Sequence, residues 1–226
     1  MITTLAVLKW THILAMVYWL GGEWGVFQTS YNVVNHRLPM DERKRHMETA
    51  YRIDILARTG IVLLFPIGFH MGWYYGIQPF GGVWIWVNWI FFLAWLSITW
   101  AAFFYRETDR GIALTKFDER IRFIFIPLIT LVAITSLLGY GPFEALPGQK
   151  WFSIKVLIFA GLLVIGLKLR FIMREWTEMF RVLAVEPDNM AVEQTLDRSI
   201  RTGRRLAYLY WVGIGTVAFF GAVKPF

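Results

Sequence analysis

The chain has 226 residues, 57% hydrophobic and 18% aromatic, with no cysteine and a net charge of +7. With a mean hydropathy of +0.48, this composition excludes an ordinary soluble domain. The missing cysteines exclude disulfides, iron–sulfur clusters, thiolate zinc sites and covalent c-type haem attachment, leaving His, Met, carboxylate or backbone to hold any metal.

A hydrocarbon core about 30 Å thick takes roughly 20 apolar residues per helix. Six stretches meet that requirement: 5–27, 57–75, 83–104, 123–140, 151–169 and 206–223. The fold expected is therefore all-α, one polytopic bundle of six transmembrane helices over residues 1–226. The first stretch has neither the basic flank nor the small-residue cleavage site of a signal peptide, so it reads as a retained helix.

Six spans also sort the charges. Lys9, Lys150, Lys155 and Lys224 fall on one side, and every other Lys and Arg falls in the connections 35–58, 106–122 and 168–205. The positive-inside rule then places both termini outside and the three basic connections in the cytoplasm. The basic excess is thus explained by membrane flanks. No nucleic-acid module is present, and lipid is the expected surroundings.

In the third basic connection, an amphipathic segment over 174–205 carries Val192, Leu196 and Ile200 at helical spacing. It is expected to lie along the headgroups. On the other side, the short connections QPFGG (78–82) and GPFEALPGQ (141–149) read as compact turns.

Ionisable residues inside a span mark functional candidates, because their desolvation needs a partner. His12 lies about 10 Å into the first span and His70 about 8–9 Å from the end of the second, at 1.5 Å per residue. In antiparallel neighbours these depths coincide, so the two rings are expected to face each other. Two such imidazoles could be the axial pair of a b-type haem. With Met16 and Met71 they could form a copper site. They could also be polar groups satisfied within a membrane anchor subunit.

Other residues complete the expected site. Met16, Trp19 and Glu23 share the His12 stripe. Pro66 should kink the second helix, and Gly68, Gly72 and Gly76 should leave a groove beside His70. Glu23 and Arg58 match in depth, as a structural ion pair joining helices one and two in preference to a proton relay, and Arg58 could instead snorkel to the cytoplasm. Lys155 reads as a snorkelling anchor or as the counter-ion of an anionic group such as a haem propionate.

The stretch LKWTHILAMVYWLGG (8–22), with His12, Trp19, Gly21 and Gly22, resembles the opening helix of several bacterial inner-membrane families. These are the CopD-type copper resistance proteins, the HemJ-type protoporphyrinogen oxidases and the membrane part of integral-membrane urate oxidases. QKWFSIKVLIFAGLL (149–163), with Trp151 and Lys155, is similar to a HemJ-type stretch. The resemblance implies His12 as a haem b ligand and Lys155 as a cofactor or substrate contact. A b-type haem protein of this kind is expected to pass electrons between quinone or a periplasmic carrier and other membrane or periplasmic redox subunits, and could be a porphyrinogen- or quinone-linked oxidoreductase. HemJ-type proteins are shorter with fewer helices, so the resemblance speaks for haem binding more than for porphyrinogen oxidation.

Overall fold

The computed structural model describes residues 2–106 and 108–225. They form six helices: α1 (Thr4–Val33), α2 (Met40–Tyr74), α3 (Val83–Phe104), α4 (Asp109–Leu137), α5 (Lys150–Val185) and α6 (Met190–Val223). All six are long and apolar enough to cross a membrane. Local chemistry sets several starts. The side chains of Thr3, Thr108 and Asn189 accept from the amides of Ala6, Gly111 and Val192, each at 3.2 Å, capping α1, α4 and α6. The chain reverses after α2 and α4 through glycines in the left-handed region, Gly76 (φ 67°) and Gly139 (φ 78°).

Each helix packs on its neighbours in the chain, and α6 returns to α1, closing a ring. Half of the apolar window of α2 and 44% of that of α5 are buried, against 22% for α1, α3 and α6. So α2 and α5 lie innermost. The large apolar side chains on the outside, among them Ile13, Val17, Trp86, Ile90, Leu128 and Val212, fit a lipid solvent rather than water.

Helix length divides the bundle into two parts. The 22 residues of α3 span about 33 Å, whereas the 35 and 36 residues of α2 and α5 span about 53 Å. Past the α3–α4 turn, α1, α2, α5 and α6 therefore continue together. They bury a second apolar core there that includes Val33, Met47, Ala50, Trp176, Phe180, Leu183, Leu196 and Ile200. Arg43 ties this extension together. It donates to both carboxylate oxygens of Glu193 at 2.6 and 3.0 Å, and to the Val33 carbonyl at the end of α1 at 2.8 Å.

This corrects two expectations. Residues 174–205 are not a surface helix but the ends of α5 and α6, joined by a tight turn. Leu196 and Ile200 pack on Trp176 and Phe180 rather than into headgroups. Residues 40–56, expected in a loop, are the first turns of α2.

Candidate cofactor cavity and buried ion network

Near the end that carries both termini, α1, α2, α4 and α5 enclose a cavity of about 390 Å³. Its walls are mainly apolar (Leu64, Phe65, Phe125, Ile129, Val156, Phe159), with His12 and Lys155 among the few polar side chains. Volume and lining both fall within the range of small-molecule and cofactor sites.

His12 is uncommitted. Neither of its ring nitrogens has a hydrogen-bond partner among the described residues, and Nδ1 is fully buried. Gly68 of α2 stands opposite: a Cβ there would lie 3.4 Å from the imidazole Cε1. Lys155 lines the same cavity, close enough for its charge to act on His12. Gly221 of α6 leaves room for its ammonium, since a Cβ there would meet Nζ at 2.6 Å. Among the described residues Lys155 has no ion pair. The charge around this end is one-sided: Lys9, Lys150, Lys155 and Lys224 lie there, and among the described residues Glu144 is the one acidic side chain. Lys9 and Lys224 both approach the Tyr75 ring, at 5.4 and 4.2 Å.

The polar loops close the cavity. Gln78, buried beneath it, donates to the carbonyls of Phe69 and Phe80 at 3.1 and 3.2 Å and accepts from the Phe80 amide at 2.6 Å. Ser136 and Ser153 bond to each other at 2.6 Å across α4 and α5, and Ser136 also donates to the Phe143 carbonyl. These groups are satisfied within the protein, which leaves His12, Lys155 and the Gln149 side-chain amide as the polar lining groups without a partner among the described residues.

His70 does not join them. Its Nδ1 accepts from Trp89 Nε1 of α3 at 3.2 Å and its ring stacks on Tyr74. The two imidazoles thus have different neighbours. Positions 68 and 70 lie two residues apart, about 200° around a helix, so with Gly68 toward His12 the ring at 70 is turned to α3. Of the copper grouping of His12, Met16, His70 and Met71, this rotation turns away only His70; Met71, three residues from Gly68, stays within about 60° of it, and Met16 lies one turn from His12. Met16 and Met71 pack against the apolar core, and no group of three or more His, Asp or Glu able to hold a metal occurs among the described residues.

The three expected groove glycines do three different things. Gly68 opens the cavity. Gly72 makes room for Gln78 and Phe152, whose nearest atoms would lie 3.3 and 3.7 Å from a Cβ. Gly76 turns the chain. Pro66 leaves α2 continuous, and its own carbonyl accepts from Asn88 Nδ2 at 3.3 Å. Trp19, expected at the cofactor, is core. It is 1% exposed, packs edge-on against Phe159 and Tyr210, and donates to Tyr210 Oη at 3.1 Å.

Further toward the basic end lies a buried ion network that the sequence reading missed. Asp118 of α4 accepts from Trp95 Nε1 at 2.6 Å, Thr99 Oγ1 at 3.1 Å and Arg122 Nε at 3.2 Å, and also pairs with Arg170 of α5. Glu119 pairs with Arg174 at 3.2 Å. Arg58 pairs with Asp54, one turn back on its own helix. So the expected Glu23–Arg58 pair is not formed: Asp54, at i−4, reaches the guanidinium first. The signal was the Asp-x-x-x-Arg spacing, present four times, at 41/45, 54/58, 118/122 and 197/201, of which 54/58 and 118/122 fall in this network.

Comparison with models of known families, with curated proteins and with solved structures finds no match. The site must therefore be read from its own chemistry.

Proposed function

We propose that this chain is a multi-pass membrane protein whose working site is the His12–Lys155 cavity, and that the cavity holds a b-type haem in an oxidoreductase or electron carrier. One observation carries the reading: an imidazole and an ammonium, both without protein partners, share one apolar cavity of about 390 Å³. That donor set suits a ligand with a large apolar body and an acidic edge. His12 would supply a single axial nitrogen, and Lys155 the charge that neutralises a propionate. Gly68 leaves space against the His12 ring, and the lysines around the cavity favour an anion over a cation. A haem held there supplies one-electron chemistry. The resemblance of 8–22 and 149–163 to HemJ-type stretches supports the same two residues. His70 has no part in this reading.

The distribution of Lys and Arg supports an orientation with the basic extension in the cytoplasm and the cavity in the outer half of a bacterial inner membrane. Its electron partner would then be quinone or a redox subunit reaching the outer face. The test is a reduced-minus-oxidised absorption spectrum of protein purified in mild detergent from haem-replete cells. Sharp α and β bands that vanish in His12→Ala and persist in His70→Leu are expected. A folded, colourless wild-type protein overturns the proposal.

A further inference from the structure

A second, smaller cavity of about 70 Å³ lies among α1, α2, α4, α5 and α6 beside the ion network. It has room for ordered water. Three polar groups that line it lack protein partners. Arg204 Nη2 and Trp176 Nε1 are buried and unbonded, and Trp176 is only 4% exposed. The third is the Glu23 carboxyl. Asp54, Asp118 and Glu119, the other acids embedded at this level, each have an arginine. Glu23 has neither an ion pair nor a hydrogen bond among the described residues. Arg204 does not pair with it: its Nε donates to Ser30 Oγ at 3.0 Å and its guanidinium lies 3.8 Å over the Tyr31 ring.

An unpaired carboxylate inside a membrane bundle is costly, whereas a carboxyl group that can take up a proton and hydrogen-bond to water is much less so. We infer that Glu23 is a proton-exchange site, reached through water in this cavity from the basic end of the bundle. The groups that face it fit that role. From α2 come Asp54 and Arg58, whose charges oppose each other across one turn; from α4 comes Arg122 and from α5 Arg170, both engaged by Asp118. From α6 come Arg204 and Tyr210. The arginines of α2, α4 and α5 are committed to other acids, and Arg204 of α6 forms no ion pair with Glu23, so no arginine holds Glu23 as a permanent ion. Trp176 and Arg204 supply unused N–H donors for waters that lead to it. The step is a simple transfer: water delivers a proton to a Glu23 carboxylate oxygen, and the same oxygen returns it. This site stands about 16 Å from His12, eleven residues along α1, and does not depend on what the first cavity holds.

The experiment is infrared difference spectroscopy of the full chain in proteoliposomes, cycled in pH, with and without ¹³C-labelled glutamate. The wild type should show a carboxylic C=O band that shifts with the label and is missing from Glu23→Gln. In Glu23→Asp a band should return that ignores the label. Wild-type and Glu23→Gln spectra that superimpose overturn the inference. Should Glu23→Gln fail to fold, reaction of the native protein with an apolar carbodiimide decides. An adduct at Glu23, mapped by mass spectrometry, supports proton uptake there, and no adduct at any pH overturns it.

Discussion

Gly68 faces the His12 ring so closely that a methyl group on it would stand 3.4 Å from Cε1. That distance is an ordinary van der Waals contact, so Gly68→Ala should be accepted with little change. Gly68→Leu would push a branched side chain into the cavity against the imidazole. We expect it to abolish ligand retention while leaving the helical content intact, read by absorption and circular dichroism of the purified protein.

The two intramembrane histidines should separate cleanly on mutation. His12→Ala removes the uncommitted imidazole and should lose bound ligand completely. His70→Leu removes only the acceptor for Trp89, which costs about 1 kcal/mol, and should lower Tm by a few degrees without affecting the ligand. Equal loss in both variants would contradict the arrangement of α2 described above.

Asp118 is the keystone of the ion network, with two arginines and two neutral donors on one carboxylate. Removing its charge leaves Arg122 buried without a counter-ion and Arg170 with only the more distant Glu119, at 3.8 Å. Asp118→Asn should therefore cost about 3–5 kcal/mol. The loss should be partly recovered by adding Arg170→Gln, as measured by unfolding in mixed detergent micelles.

Glu193 should act locally. Its bidentate pairing with Arg43 clamps α6 to α2 and, through the Val33 carbonyl, to α1. In Glu193→Gln, amide hydrogen exchange should quicken over 40–50 and 190–200, while the membrane-embedded parts of α2 and α6 stay protected. Uniform acceleration along both helices would show that the extension is not a separate cooperative unit.

Hydropathy made the six spans legible, and for α3 it found both ends, because that helix is no longer than the bilayer requires. It cut the basic ends of α1, α2, α4, α5 and α6 short, because a helix that leaves the membrane with a charged outer face no longer reads as apolar. The same truncation hid the ion network: Arg122 and Arg170 were counted as flanking charges, although 118 and 122 lie on one helical face. For the cavity, sequence gave the depth of His12 and Lys155 but not rotation about a helix axis. Depth alone placed His70 level with His12, and only packing against α3 shows that it turns to Trp89.

Asp118 and Arg122 travel on α4, whereas Arg170 arrives only with α5. During biosynthesis, α4 emerges first, carrying a charge pair that lipid tails solvate poorly. Its stable residence in the bilayer then awaits the following helix, so α4 and α5 should partition from the translocon as a hairpin rather than one by one. In a nascent chain stalled before Arg170, α4 should still cross-link to the translocon, and in one stalled beyond it α4 should cross-link to lipid instead.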